Sequence, residues 1–253
     1  MSNPSTTRPV ALVTGASRGI GAATARELAR RGYALALAAR SIGPLATLAG
    51  ELTRAGAPAV PIPADLARLE DARRLARIAL EQFGRVDVLV NNAGIGSAGK
   101  PVVKLSDAQV YDLLATNLLA PIELTRALLP GMLERRRGAI IFVASVAGHV
   151  GVPGSALYSA SKFGLRGFAE ALRRECRGRG VDVTIVSPGF IRTEMTADLR
   201  IPMPGPEGVA RAIADAIDRP QREVIIPGFY RLVVWVNQCA PWLVDAVLPR
   251  RRR

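Results

Sequence analysis

Short apolar runs alternate with stretches of helical composition along nearly the whole chain, and this alternation constrains the fold more than any other feature. Runs at residues 10–14, 33–39, 59–63, 86–91, 139–145, 181–187 and 223–226 are bounded by helical segments such as 22–31 and 69–83. Continuously apolar strands suit burial on both faces, with helices as crossovers. The pattern therefore predicts α/β architecture: a doubly wound parallel sheet of Rossmann type whose ligand lies beyond the carboxyl ends of the strands. At 253 residues and 49% hydrophobic the chain can bury one sizeable core, and no segment has linker composition, so residues 1–253 are expected to form a single domain. Residues 228–253 are read as an apolar C-terminal extension ending in a polybasic cluster.

If function follows the carboxyl ends of strands, the first place to look is the turn after residue 14. It reads Gly15-Ala16-Ser17-Arg18-Gly19-Ile20-Gly21, ahead of an alanine-rich helix. Glycines there let the backbone approach a pyrophosphate, while the helix N-terminus offers free N–H groups and the positive end of its dipole. A second glycine-rich stretch, Gly94 to Lys100, imitates a phosphate loop. It fails at Pro101, where a magnesium-binding hydroxyl is required, and "VVKLSD" does not continue as a helix start of the needed period.

Tyr158 and Lys162 form an i,i+4 pair at the start of a predicted helix, so both side chains share a face. Such pairs are common on solvated helices. This lysine is nevertheless one of only three among 34 basic residues, which singles it out in a chain that otherwise uses arginine. Ser145 closes the fifth predicted strand, and Asn117 sits in "YDLLATNLLA", where asparagine is a mediocre helix former. Alone, the first reads as a turn serine and the second as a helix-bending or surface residue.

Together, "TGASRGIG", Asp65 after the third strand, "NNAG" ending at Gly94, Asn117, Ser145, the Tyr158/Lys162 pair and "SPGFIRT" ending at Thr193 resemble the classical short-chain dehydrogenase/reductase family over residues 10–226. The resemblance implies hydride exchange between a nicotinamide cofactor and a carbonyl or alcohol substrate. It implies Tyr158 as general acid/base, Ser145 steadying the reacting oxygen, Lys162 assisting the phenol and binding the nicotinamide ribose, and Asn117 holding a water that relays protons to Lys162. Moving a phenol from ~10 to ~7 requires about 4 kcal/mol. An ammonium at roughly 5 Å supplies about 3 kcal/mol of this at an effective dielectric near 20.

By the same resemblance the cofactor would be lined by Gly15, Ser17, Arg18, Gly19, Ile20, Gly21, Arg40, Asp65, Leu66, Asn91, Ala93, Gly94, Tyr158, Lys162, Pro188, Gly189, Ile191 and Thr193. Thr193 would meet the nicotinamide carboxamide; Asn91 and Gly94 would lie on the adenosine side. Folds preferring NAD carry an acidic residue at the end of the second strand, but here Ala38-Ala39-Arg40 stands there. With Arg18 on the glycine-rich turn, the charge pattern favours NADP(H) over NAD(H).

The net charge of +13 is spread over helix after helix without a basic stripe of interleaved aromatics, so no specific nucleic-acid partner is expected. A nucleotide-binding redox sensor or nucleic-acid-associated regulator without turnover is the alternative to an enzyme. Cys176, Cys239 and the lone His149 lack ligand spacing, so no metal site is expected; both cysteines are read as reduced and structural, and His149 as structural or solvated. The opening "MSNPSTTRP" has no apolar h-region, which predicts a cytoplasmic protein. The family resemblance implies a homodimer or homotetramer. The tail from Phe229, with both tryptophans and four closing arginines, is too interrupted to span a bilayer. Two readings of it stand: packing at the sheet end or a subunit interface, which is preferred, and peripheral contact with an anionic membrane.

Overall fold

The computed structural model describes residues 7–96, 99–199 and 201–247. The opening residues 1–6, the centre of the phosphate-loop imitation at 97 and 98, and the terminal arginine cluster fall outside the described residues. In chain order the elements are β1 (Val10–Thr14), α1 (Gly19–Arg30), β2 (Ala34–Ala39), α2 (Ile42–Arg54), β3 (Ala59–Pro63), α3 (Leu69–Phe83), β4 (Val88–Asn91), α4 (Asp107–Leu114), α5 (Ala120–Glu134), β5 (Gly138–Val143), α6 (Ala156–Glu175), β6 (Val181–Pro188), α7 (Glu207–Asp218), β7 (Glu223–Ile226), α8 (Tyr230–Cys239) and α9 (Pro241–Val247).

The strands form a seven-stranded sheet in the order β3-β2-β1-β4-β5-β6-β7, parallel at every pairing. Alternate residues of one strand serve opposite faces, so β1 and β2 feed two cores at once. Val10, Leu12, Ala34 and Ala36 pack with Leu75 of α3, Leu124 of α5 and Leu165 of α6. Ala11, Val13, Leu35 and Leu37 pack on the other face with Leu28 of α1, Leu45 of α2 and Ile213 of α7. The sheet is thus buried on both sides, as the unbroken apolar runs require. In α3 the buried set Ala72, Leu75, Ala76, Ala79 and Phe83 follows the helical period, and Gly84, at φ 74°, ends the helix in the left-handed conformation that glycine adopts without strain.

The strand order reverses direction between β1 and β4, which places a crevice above their carboxyl ends. Boundaries differ from expectation there: β5 ends at Val143 and not at residue 145, and β6 at Pro188 and not at residue 187. Helix α1 begins at Gly19, not residue 22, so its first turn includes Gly21. A helix also follows the second glycine-rich stretch, but only after a short 3-10 turn: Ser106 accepts from the Gln109 N–H while the Gln109 side chain accepts from the Ser106 N–H, and this reciprocal cap starts α4 at Asp107. Between α4 and α5 the backbone widens into a π turn, Ala115–Leu119, with Asn117 at its centre.

Candidate active site

Construction of the site starts at Thr14, the last residue of β1. Its hydroxyl accepts from the N–H groups of Asn92 and Ala93, both at 3.0 Å, and donates to the Val90 carbonyl at 3.2 Å. The Asn92 side chain donates in return to the Thr14 carbonyl at 2.8 Å. This clamp holds the glycine-rich turn against the segment after β4, and it explains two glycines. A Cβ on Gly15, whose φ is +66°, would come within 2.9 Å of the Ala93 Cα; one on Gly21 would stand 2.1 Å from the Gly15 carbonyl oxygen. Neither Thr14 nor Asn92 was a sequence-derived site residue, although both lie inside the quoted motifs.

The turn leads into α1 with no side-chain cap from Arg18 and no acid in the first turn, so its leading N–H groups carry no side-chain competitor for an anion. Thr193, which opens a short 3-10 turn after β6, lies against Gly19: a Cβ on that glycine would be 3.3 Å from its Cγ2. Arg18 pairs with Glu194 at 2.6 Å, both side chains largely exposed. Arg40 is exposed directly after β2 and makes no ion pair among the described residues. Asp65 accepts from the Ala67 N–H at 3.2 Å and so shapes the turn before α3, while Leu66 and Ile191 belong to the cores and offer the crevice only backbone. Pro188 ends β6, and Gly189 follows it beneath the Tyr230 ring, where a Cβ would meet the ring at 2.0 Å. Asn91 is buried at the end of β4 with both amide atoms lacking a hydrogen-bond partner. Together, the orphaned amide and the glycine cradle suit a polar ligand lying across the switch point, which fits a dinucleotide.

The second half of the site lies above β5 and α6. Ser145 caps a 3-10 turn: its Oγ accepts from the Ala147 N–H at 3.1 Å and lies 3.4 Å from the Pro188 carbonyl, tying β5 to β6. The half-buried Tyr158 lies near enough for the Ser145 side chain to favour its phenolate. Gly148, in the same turn, permits close packing on α6, for a Cβ there would sit 2.8 Å from the Lys162 carbonyl oxygen. Lys162 is buried, its ammonium donating to the Val143 carbonyl at 3.0 Å and standing 5.8 Å from the centroid of the Tyr158 ring. Asn117 is fully buried: its amide donates to the Ile95 carbonyl at 2.9 Å and to the Ser161 hydroxyl at 3.1 Å, and its oxygen accepts from the Ile95 N–H at 2.8 Å. Ser161 is a further residue that motif reading passed over. Gly94 faces both groups, since a Cβ on it would lie 3.4 Å from the Asn117 oxygen and 3.6 Å from the Lys162 nitrogen.

Electrostatics here depart from the sequence expectation. Burial pushes the Tyr158 phenol above its ordinary value, and the nearby Ser145 side chain offsets only part of that. Burial also lowers the Lys162 ammonium to about 8. The burial of the phenol itself outweighs what its neighbours supply, so proximity to Lys162 does not bring it toward ~7.

Other expectations resolve elsewhere. His149 is not solvated: it is buried, with Nε2 2.6 Å from Glu223 Oε1. Cys176 is a core residue, whereas Cys239 is exposed at the end of α8; both are free thiols. Among the described residues no cluster of His, Cys, Asp or Glu could hold a metal ion, and no helix is long and apolar enough to cross a membrane.

Comparison with known proteins follows the same lines. A family model described as short chain dehydrogenase matches residues 9–203. The ketoacyl reductase HetN of Nostoc sp. is 39% identical over 249 residues, covering 93% of this chain and 86% of that protein. Among solved structures, a metagenomic short-chain oxidoreductase in complex with NADP superposes with a TM-score of 0.77 at 37% identity, covering 86% of this chain and 96% of its own. A short-chain dehydrogenase/reductase from Burkholderia phymatum in complex with NAD gives 0.87 at 26% identity, covering 94% and 95%. With the family model covering most of the chain and the sheet order, glycine cradle and Ser-Tyr-Lys grouping all in place, the protein belongs to the short-chain dehydrogenase family and is an NAD(P)-dependent oxidoreductase.

Proposed function

We propose that this enzyme reduces a carbonyl compound with NADPH, with Tyr158 as the proton donor. The observation that carries the reading is the convergence of Ser145, Tyr158 and Lys162 at the carboxyl end of β5, beside a glycine cradle and the orphaned Asn91 amide. The glycine-rich turn and the start of α1 would hold the pyrophosphate, Asn91, Ala93 and Gly94 the adenosine side, and Thr193 the carboxamide. The reduced nicotinamide supplies the hydride that the substrate carbon accepts. Tyr158 gives its hydroxyl proton to the substrate oxygen, and Ser145 hydrogen-bonds that same oxygen while it gains charge. The phenolate left behind is stabilised by Lys162, which at about 8 is still mostly protonated at pH 7. The name of the Nostoc relative, a ketoacyl reductase, supports reduction as the working direction.

Preference for NADPH is supported by Arg40 standing where an acidic residue would hold a ribose hydroxyl. The exposed Arg18–Glu194 pair does not oppose it, since such a pair is worth about 0–1 kcal/mol and a 2′-phosphate competes well for the guanidinium. Tyr158→Phe is expected to lower turnover at least ~100-fold while leaving the cofactor Kd within about twofold. Retention of more than a few per cent of activity would remove Tyr158 from its role. Titration of both cofactors is expected to show NADPH binding more tightly; equal or tighter NADH binding would sink that preference.

A further inference from the structure

Helices α8 and α9 use one side to close the sheet end. Val234 is buried, Tyr230 and Val244 pack with Val146, Val150 and Ile225, and the Asn237 amide donates to the His149 carbonyl at 3.1 Å. The opposite side is left to solvent and is strongly apolar: Leu232 is 64% exposed, Trp235 60%, Trp242 67% and Val247 83%, with Phe229 and Leu243 beside them. Both tryptophans of the protein are in this surface. Contiguous exposure of this kind marks an interaction face. Self-packing therefore accounts for only half of the tail.

Charge identifies the occupant. From residue 228 onward the chain has one acidic residue, Asp245, against Arg231 and Arg250 to Arg253, and only Leu248 and Pro249 separate Val247 from the four arginines. A second copy carries the same net charge of +13, so pairing this face with itself would set like charges against each other. An anionic bilayer surface instead neutralises the arginines, and tryptophan rings settle at the level of its headgroups. With ten residues in α8 and seven in α9, neither helix crosses a bilayer. Short segments of this kind lie in the interface.

We propose that the α8–α9 face docks the enzyme onto an anionic phospholipid surface, with Trp235, Trp242 and Leu232 inserted at headgroup depth and the arginines following Val247 held by lipid phosphates.

The test uses the full chain with vesicles of phosphatidylcholine plus phosphatidylglycerol, and with phosphatidylcholine alone. Co-flotation with the anionic vesicles at low salt is expected, together with a blue shift of tryptophan emission, which reports only on this face because no other tryptophan exists. Raising salt should weaken binding, since the contacts are screened. Replacing all four terminal arginines by glutamine is expected to lower partitioning at least ~30-fold, and Leu232→Ser with Trp242→Ser, both exposed positions, to lower it at least ~10-fold; turnover on a water-soluble carbonyl is expected to stay intact in both variants. Absence of co-flotation, equal binding to neutral vesicles, or binding indifferent to both sets of substitutions would overturn the proposal. So would a fall in oligomeric mass on the Leu232/Trp242 substitutions without vesicle binding by the parent, which would assign the face to a second copy.

Discussion

Lys162 illustrates how one residue can be costly to the fold and useful to the site. Its ammonium is buried and hydrogen-bonded to the Val143 carbonyl, yet burial still lowers it to about 8 from an ordinary 10.5. Below about 8 both folded and unfolded chains carry the proton, so the full penalty of burying the charge is felt. As pH rises from there toward 10.5 the folded chain sheds the proton first, and the penalty fades. Lys162→Met, which keeps the length and removes the charge, is expected to stabilise the protein by about 1–3 kcal/mol at pH 7 after loss of the carbonyl hydrogen bond. That gain over the parent should shrink by pH 10 in urea denaturation, while turnover is lost. A gap that does not change with pH would show that Lys162 is not buried as a charge. The spacing of Tyr158 and Lys162, and a lysine in a chain of arginines, were legible from the sequence. The Val143 carbonyl that occupies the ammonium was not, because backbone acceptors have no sequence signature; nor was the burial that sets the direction of the Tyr158 shift.

At the level of elements, the strands were the most legible part: those at 10–14, 59–63 and 223–226 have the bounds that their apolar runs imply. Burial on both faces makes a parallel strand continuous in hydrophobicity, which is hard to mistake. The start of α1 lies three residues before its alanine-rich run because Gly19 and Gly21 are poor helix formers; Gly21 is required by the close approach of the Gly15 carbonyl and the Asn92 side chain, and Gly19 by its positive φ beside Thr193. The serine–glutamine signature that starts α4 was present in the sequence and was passed over. The π turn had no such signal, since the wider hydrogen-bond register is imposed by packing. Its consequence is local: the turn carries Asn117 to where its amide bridges residue 95 to α6. Asn117→Leu would remove the partners of the half-buried Ile95 N–H and carbonyl and is expected to cost about 1–3 kcal/mol, read as a lower urea midpoint. If the waters of the crevice satisfied Ile95 instead, the loss would stay below about 0.5 kcal/mol.

On the scale of the whole molecule, Glu223 joins elements far apart in the chain. From β7 it receives His149 at 2.6 Å, the Ser187 hydroxyl of β6 at 2.6 Å and Arg166 of α6 at 3.3 Å. Burial pushes its carboxyl up, but the hydrogen bonds from His149 and Ser187 and the charge of Arg166 outweigh this and hold it below the ordinary carboxylate value. Its stabilisation is complete above an ordinary value of 4.5 and is lost as pH falls through the depressed one. Glu223→Gln is expected to destabilise by about 2–4 kcal/mol at neutral pH, with the difference from the parent closing in acid; a difference constant down to pH 3 would count against the network. None of this was legible, for His149 and Glu223 stand 74 positions apart and carry no motif. The direction in which the tail turns its tryptophans was equally hidden, because apolar composition does not say which side of a helix meets the core.

The tail also touches the substrate end of β6. The Tyr230 ring covers Gly189, and its hydroxyl lies 3.4 Å from the Phe190 N–H. Displacement of α8 and a shift of the backbone that follows β6 therefore act on one shared contact. Were docking of the α8–α9 face, as proposed, to displace α8, it would be linked to any ligand binding that moves the same backbone: the factor by which vesicles change the Kd of a substrate would be the factor by which that substrate changes the enzyme's affinity for vesicles.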